Sequence, residues 1–413
     1  MASVKSLDNG KFKVTISAGF DGNGNRKRIY ETIEAKSGPA AQKRANALEA
    51  EVRKGEYIEP SKLTFAEYIA EWDRDAQRKL SPKTYFRYNE LLKGRIIPHL
   101  GNVKLEKLNP VLIESFYNEI RKPQKREKTE KDGTKKVTTY TLSETTLRHY
   151  HRLISTIMQT AFKKGIIKEN PCSRVDAPRA KKKELPIYNE EQISTLIAAL
   201  EGAELKFKTC VHIALAGGLR LGEITGLEWP DVDFNNHTIT IRRTSQYLPG
   251  RDLITKDPKN ETSKRTIVLP SQVMDLINQL EHSQKILQLK LGNKWQGRDF
   301  KNEKGSQKEK TPGRLFTQAD GSTMYPHTPS KWFHKFLEKN NLPPLPFHGL
   351  RHTSASYLIA AGQDVVTVAK RLGHSNSNTT LAIYAHSFKK RDEETATRME
   401  GMYASKKEEN VAK

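Results

Sequence analysis

The chain contains 413 residues, 36% of them hydrophobic, and its lysines and arginines exceed its acidic residues enough to give a formal net charge of +23 at pH 7. This length is more than one hydrophobic core usually organises, so we expect two or three domains. The charge favours a polyanionic partner, and nucleic acid is favoured over a membrane because no segment approaches the roughly 20 consecutive apolar residues of a spanning helix. The amino terminus also lacks the apolar core of a signal peptide, so we expect an intracellular, cytoplasmic protein.

Residues 1–58 are predicted to form a small sheet with one helix. Polar and apolar residues alternate over 12–17 and over 28–33, and the glycine-containing run 21–25 between them is typical of a hairpin turn. Apolar residues at helical spacing predict a helix over 40–54. The strands are basic and carry Lys11, Lys13, Arg26, Lys27 and Arg28. Such a sheet fits the major groove of DNA, and solvated charge on the outer strand face is an equally open alternative.

Residues 63–178 are predicted to form a helical bundle. Thr64 is a typical N-cap, Ser81-Pro82 and Asn109-Pro110 each indicate the start of a further helix, and another helix is predicted from Ser143 to Lys164. We expect the apolar residues at helical spacing to form a core and not base-stacking platforms. These residues are Phe65, Tyr68, Ile69, Trp72, Tyr85, Tyr88, Leu92, Leu112, Ile113, Phe116, Ile120, Leu147, Tyr150, Ile154, Ile157 and Phe162.

Two lysine-rich segments are too polar to form a core. Residues 121–137 are predicted to be a surface loop or hairpin, which either follows DNA phosphates or is simply solvated. Residues 179–186 are predicted to be a linker between domains, and their Lys181, Lys182 and Lys183 are candidates for lying along a DNA backbone.

The remainder, 187–390, is predicted to be mostly helical with a small sheet, because β-rich runs at 238–241 and 266–270 interrupt the helical pattern. The whole chain is therefore predicted to be mainly α with small β-sheets, an α+β fold. Cys172 and Cys210 lack the spacing of a zinc site or a disulfide framework, so we expect reduced structural thiols and no metal.

Four short motifs carry candidate chemistry. They are 216–224, with Arg220 after two glycines; 348–353, with His348 and Arg351; 372–375, with His374; and 380–386, with Tyr384. Two fixed guanidiniums can hold the non-bridging oxygens of a phosphodiester in a bidentate manner, which lysines cannot do. A tyrosine with its phenolate favoured by nearby cations is a competent nucleophile. These residue types therefore predict phosphoryl transfer.

The order arginine, lysine, histidine-x-x-arginine, histidine and tyrosine resembles the active site of the tyrosine recombinase (lambda-type integrase) family. The resemblance implies that Arg220 and Arg351 clamp the phosphate, that His348 handles a proton, that His374 contacts the phosphate and that Tyr384 attacks it, forming a covalent link to the 3′ phosphate. It also implies that a lysine protonates the leaving 5′ oxygen.

The lysine that matches the family position is Lys259, although Asn260 departs from the family's usual threonine and Lys256 and Lys264 leave the register open. Glu223 is expected to support Arg220. His352 and His386 adjoin the motifs but match no catalytic position of the family, so structural roles are expected for both.

The resemblance further implies an arm-type DNA-binding domain over 1–58, a core-binding domain over 63–178, a catalytic domain over 187–390 and a tail over 391–413 that is exchanged between protomers. The implied partners are double-stranded DNA at core and arm-type attachment sites, a homotetramer on that DNA, a directionality factor and a host DNA-bending protein. No cofactor is expected, because the covalent intermediate stores the energy of the cleaved bond.

Three alternatives remain at this point. A type IB topoisomerase uses related chemistry, although the amino-terminal module and the predicted tail argue against it. A hydrolytic nuclease leaves no protein attached to its product. An architectural DNA-binding protein retains the fold without the chemistry, and the intact motifs argue against that.

Overall fold

The computed structural model describes residues 2–7, 9–20, 24–59, 61–129, 133–180, 186–256, 264–297 and 313–373, together with Met399. The chain forms two compact units, residues 1–182 and 183–413, which divide within the segment that the sequence predicts to be a linker. Both units are mainly helical with small antiparallel sheets, and this confirms the predicted fold class. Within the described residues, no helix combines the length and the apolar character needed to cross a membrane.

The helices of the first unit are α1 (Gly38–Arg53), α2 (Phe65–Lys79), α3 (Pro82–Leu91), α4 (Ile97–Leu100), α5 (Pro110–Arg121) and α6 (Glu144–Lys163). Its strands are β1 (Ser3–Ser6), β2 (Lys11–Phe20), β3 (Arg26–Glu34), β4 (Gln124–Thr129) and β5 (Lys135–Tyr140). The helices of the second unit are α7 (Glu190–Leu200), α8 (Leu205–Gly217), α9 (Leu221–Ile224), α10 (Ser271–Leu291), α11 (His327–Lys339), α12 (Phe347–Ala360) and α13 (Val365–Leu372). Its strands are β6 (Val232–Asp233), β7 (Thr238–Ile241), β8 (Thr244–Leu248), β9 (Arg251–Lys256) and β10 (Arg265–Val268).

The amino-terminal module is a three-stranded antiparallel sheet in the order β1-β2-β3, covered on one face by α1. The predicted hairpin and helix are confirmed, whereas β1 was missed because four residues with a single apolar side chain give no pattern. Period-two alternation buries Val14 and Ile16 against the helix, so the other face of the sheet meets solvent. All five candidate basic residues of the strands are exposed, namely Lys11, Lys13, Arg26, Lys27 and Arg28.

The helical bundle begins where the sequence places it. The Thr64 side chain accepts a hydrogen bond from the backbone N–H of Glu67 at 3.3 Å, and the Glu67 carboxylate accepts one from the backbone of Thr64 at 2.7 Å, which forms a capping box. Most of the predicted core residues are buried or partly buried. Phe162 is the exception at 44% exposure, because Met158 and Ala161 carry the apolar face to the end of α6 and leave the adjacent Phe162 turned outward.

The segment predicted as a surface loop or hairpin is a hairpin, with β4 and β5 paired antiparallel from Gln124↔Tyr140 to Thr129↔Lys135. Between α3 and α4 the chain forms a π-helical turn over Leu92–Ile96. Leu92 and Ile96 of this turn are buried, and Arg95 points from it toward the base of the hairpin.

The second unit is organised around α8, which packs against α10, α11 and α12 and is apolar on most sides. The predicted small sheet is present, in the order β10-β7-β6, with Ile239 paired to Ile267 and both buried in the core. The hairpin β8-β9 was missed, since its strands are polar and give no clear alternation. Cys172 and Cys210 are both buried free thiols, as the sequence predicts.

Candidate active site

Arg220 is positioned by a sharp turn between two helices. Helix α8 is capped at its carboxyl end by Gly218, whose φ of 62° lies in the left-handed region that glycine tolerates at little cost. A Cβ at this position would lie 2.4 Å from Cδ2 of Leu372, so the close approach of α13 also requires glycine. The turn places Arg220 at the N-cap of the four-residue helix α9.

Glu223 is buried between two arginines and fixes both. Its carboxylate accepts hydrogen bonds from the backbone N–H of Arg220 at 3.0 Å, from Nη1 of Arg220 at 2.7 Å and from Nη2 of Arg265 at 2.9 Å. Burial alone would raise the pKa of Glu223, but the hydrogen bonds and charges of Arg265 and Arg220 outweigh it and hold the pKa below its usual value. Glu223 is therefore an anion that orients Arg220, the supporting role expected from the sequence.

Helix α12 supplies the second motif. Arg351 is only 2% exposed, and its Nη1 donates a hydrogen bond to the carbonyl of Gly218 at 2.7 Å. His348 lies one turn earlier on the same helix, on its outer side. Desolvation by the surrounding protein, followed by the charges of Arg351 and Arg220, lowers the pKa of His348. The imidazole is therefore neutral at pH 7 and lies near both guanidiniums.

His352 packs edge-on against His348, with ring centroids 4.7 Å apart. Burial, with the nearby His348 and Arg351, lowers the pKa of His352 to about 4. A neutral, buried ring of this kind supports His348 by packing, which agrees with the structural role expected from the sequence.

The end of α13 brings the third motif to the same place. Nη2 of Arg220 donates a hydrogen bond to the carbonyl of Gly373 at 3.3 Å. Nη2 of Arg371 donates to the carbonyls of Ala216 at 3.1 Å and Val268 at 2.9 Å. These contacts tie the residues directly before His374 to the Arg220 turn and to strand β10.

The structure thus brings Arg220, His348 and Arg351 into one cluster, although 128 residues of sequence separate the first from the second (348 − 220). The candidate residues Lys259, His374 and Tyr384 lie outside the described residues. The same is true of Lys181, Lys182 and Lys183 in the linker, and of the tail 391–413 apart from Met399. Within the described residues, no cluster of three or more potential metal ligands is present.

Two arginines that position this site were missed from the sequence. Arg265 is the second guanidinium on Glu223, and its Nε also donates to the carbonyl of Arg371 at 2.7 Å. A signal for it existed, because Arg265 lies two residues before the buried Ile267 and therefore on the inward face of the strand. An arginine at an inward strand position is unusual unless it is paired.

Arg314 connects the hairpin β8-β9 to the end of α9. Its guanidinium donates to Oγ1 of Thr255 at 2.6 Å and to the carbonyl of Gly226, and it forms an ion pair with Glu228 at 3.3 Å. Arg243 shares that carboxylate at 2.8 Å. No local sequence pattern indicates this network, because its members come from four separate segments.

The cluster is suited to binding a phosphodiester. Arg220 is partly exposed, at 38% of its side chain, while its orientation is fixed by Glu223 from beneath. A pre-oriented guanidinium at the surface, a buried one beside it and a neutral imidazole provide positive charge and a proton acceptor without further rearrangement.

Comparison with known proteins agrees with this geometry. Residues 187–391 match the phage integrase family, and residues 64–121 match the phage integrase N-terminal SAM-like domain. The ICEBs1 integrase of Bacillus subtilis (strain 168) is 25% identical over 97% of this chain and 100% of its own length.

Solved structures show the same fold. The Tn1549 transposon integrase in complex with transposon right end DNA has a TM-score of 0.62 and 20% identity, covering 81% of this chain and 100% of that chain. A lambda integrase tetramer bound to a Holliday junction has a TM-score of 0.52 and 14% identity, covering 92% of this chain and 94% of that chain. Since the two family matches together include the arginine cluster and the first four helices of the bundle, α2 to α5, the chain belongs to the phage integrase family of tyrosine recombinases.

Proposed function

We propose that this chain, a site-specific tyrosine recombinase that integrates or excises mobile elements, cleaves DNA with Tyr384 through a covalent 3′-phosphotyrosyl intermediate. The observation that carries the proposal is the convergence of Arg220 and Arg351. Each guanidinium is held by a separate anchor, Glu223 for the first and the carbonyl of Gly218 for the second.

In the first step, the Tyr384 oxygen attacks the scissile phosphorus while Arg220 and Arg351 hold its non-bridging oxygens. Negative charge grows on those oxygens in the transition state, so guanidiniums that are fixed in advance stabilise the transition state more than the ground state. His348 accepts the phenolic proton, which its lowered pKa permits at pH 7 because the ring is neutral. His374 donates a hydrogen bond to the same phosphate.

The bond that breaks joins phosphorus to the 5′ oxygen, and that oxygen needs a proton to leave as a hydroxyl. We assign the donation of this proton to Lys259. Lys256 and Lys264 are the alternative donors, because they lie close enough in sequence to occupy the same family position. Rejoining reverses these steps: an incoming 5′ hydroxyl attacks the phosphotyrosine and releases Tyr384. Because the phosphotyrosine bond keeps the energy of the original linkage, the exchange requires no nucleotide cofactor.

The assembly that we propose is a homotetramer on double-stranded DNA, as in the lambda integrase tetramer bound to a Holliday junction. The bundle over 63–178 and the catalytic domain over 187–390 bind core sites, the basic sheet module over 1–58 binds arm-type sites, and the tail over 391–413 docks on a neighbouring protomer. A directionality factor and a host DNA-bending protein complete the complex in the bacterial cytoplasm. Linking two DNA-binding modules in one chain raises the local concentration of the second site.

A nicked suicide substrate tests the chemistry. Cleavage beside the nick releases a short fragment, so the covalent adduct cannot be rejoined and accumulates. We expect wild-type protein to give a denaturation-resistant adduct and Tyr384→Phe to give none while it still binds the DNA. A hydrolytic nuclease would cut without an adduct, and an inactive architectural protein would bind without cutting; either result would overturn the proposal.

A further inference from the structure

The hairpin β4-β5 extends from the bundle with little to stabilise it. Every residue of β5 is exposed, including Val137 at 53%, and the β4 cations Lys125 and Arg126 are exposed as well. An isolated two-stranded hairpin is marginally stable in water at best. A hairpin of this composition therefore needs either an anchor or a ligand.

One arginine anchors both strands at their base. Arg95 donates hydrogen bonds to the Gln124 side chain at the start of β4, to the Tyr140 hydroxyl at the end of β5 at 3.1 Å, and to the Tyr150 hydroxyl of α6 at 3.4 Å. Gln124 and Tyr140 are direct partners in the strand register. Arg95 belongs to the π-helical turn Leu92–Ile96, and single π turns inside helices are frequent at functional sites. The anchor fixes the direction of the hairpin relative to the bundle.

The two faces of the hairpin differ in charge. Residues that pair directly lie on the same face, and residues two apart along a strand also lie on the same face. Arg126, its partner Thr138, and Lys136 therefore lie on the face on which Gln124 and Tyr140 contact Arg95. Within β4 and β5, this face contains no acidic residue. The opposite face carries Lys125 and Lys135 together with Glu127, which is paired with Val137. We call the first the anchored face and the second the outer face.

We propose that the β4-β5 hairpin is a DNA-binding ribbon, and that the anchored face contacts backbone phosphates of the duplex through Arg126 and Lys136. A two-stranded ribbon has the width to enter a major groove, and exposed cations on a strand face without acidic residues are available for phosphates. A protein partner fits less well, because protein interfaces have apolar or aromatic centres and the anchored face has charged and threonine side chains beyond Tyr140.

This ribbon adds a contact outside the catalytic cluster, and it rests on the proposed function only in taking duplex DNA as its ligand. Equilibrium binding is therefore the appropriate readout. It can fail while the suicide substrate still yields a Tyr384 adduct, so the two proposals can be refuted separately.

The test uses full-length protein and a duplex that carries its core site, with affinity measured against salt concentration. In the variant Arg126→Gln/Lys136→Gln, two phosphate contacts are lost, and the slope of log K against log salt becomes shallower by about 1.8. If affinity at 1 M salt is unchanged, this slope corresponds to about 60-fold weaker binding at 0.1 M salt. The matched control Lys125→Gln/Lys135→Gln removes the same charge from the outer face and keeps the wild-type slope.

A third variant separates the effect of the hairpin's charge from the effect of its orientation. Arg95→Gln keeps every cation of the hairpin but removes the anchor, so binding weakens about tenfold or more, while the urea midpoint of the bundle checks that the fold is intact. The proposal is overturned if the two double variants have the same slope, if neither differs from wild type, or if the anchored-face variant binds single sites normally and loses only tetramer assembly.

Discussion

Replacing Glu223 by glutamine removes the negative charge that forms ion pairs with both Arg220 and Arg265. Glutamine has the same shape and keeps one acceptor oxygen, but its amide hydrogens then face a guanidinium. The side chain of Arg265 is only 8% exposed, so its ion pair with Glu223 is nearly buried and its loss is costly. The side chain of Arg220 is 38% exposed, so solvent reduces the cost of losing its ion pair. Breaking a buried ion pair from one side costs roughly 3–5 kcal/mol, and the partial exposure of Arg220 places this case near 3 kcal/mol.

The assay is thermal and urea unfolding of the second unit, residues 183–413. A loss of about 3 kcal/mol lowers the midpoint of a unit of this size by about 6–12 °C. Since the folded-state pKa of Glu223 is lowered, its stabilisation is complete above the unfolded value of 4.5 and is lost as the pH falls through the folded value. The difference between wild type and Glu223→Gln is therefore largest at neutral pH and shrinks in acid.

The matched control is Glu201→Gln. The side chain of Glu201 is 68% exposed and forms an ion pair with Lys208. We expect no measurable change in its midpoint. In the suicide-substrate assay, Glu223→Gln forms adduct more slowly because Arg220 is misoriented, and Glu201→Gln forms it at the wild-type rate. The reasoning is refuted if Glu223→Gln has the wild-type midpoint at pH 7, or if its deficit persists unchanged below pH 4.

Three further predictions concern the frame of the site. Gly218→Ala places a Cβ at a φ of 62° and against the side chain of Leu372, whereas Gly250→Ala has a similar φ of 73° but open space around its Cβ. In urea unfolding, Gly218→Ala therefore costs about 1–3 kcal/mol more than Gly250→Ala, and equal costs would contradict this. Arg314→Gln removes charge-assisted bonds to the hairpin, so amide hydrogen exchange over 244–256 accelerates about tenfold or more, and unchanged exchange would refute the link. In the unfolded chain His352 has a pKa near 6.5, whereas burial in the folded protein lowers its pKa to about 4. Between these two values the unfolded state binds a proton that the folded state does not, so the free energy of unfolding falls as the pH drops from 6.5 to 4. His352→Asn lacks about 2 kcal/mol of that fall in urea titrations at pH 7 and pH 4.5, and an identical pH dependence would exclude this cause.

Local patterns were sufficient for the elements with a clear cap or a clear apolar face. Thr64 predicts a helix start because its side chain is a typical N-cap, and the alternation over 12–17 predicts a strand because one face must be buried. The same patterns failed where they were weak or ambiguous. Phe162 has correct helical spacing from Met158, and only the position of the neighbouring helices decides that Ala161 and not Phe162 faces the core.

Part of the site could also be predicted from motifs. Arg220, His348 and Arg351 fall in one cluster because each motif includes the backbone feature that directs its side chain, such as the glycine turn before Arg220. The supporting residues could not be predicted in this way. Arg265 and Arg314 act through carboxylates and carbonyls contributed by distant segments, and such contacts exist only after folding.

The most direct test of the account is to locate the DNA attachment by mass spectrometry. The adduct from the suicide substrate is digested with nuclease and protease, and the peptide that carries the residual nucleotide is sequenced. The account predicts a single modified residue, Tyr384, and no adduct when Arg220 or Arg351 is replaced by alanine. A nucleotide on any other residue, or a normal adduct yield from either arginine variant, would contradict the claim that these groups act on one phosphate.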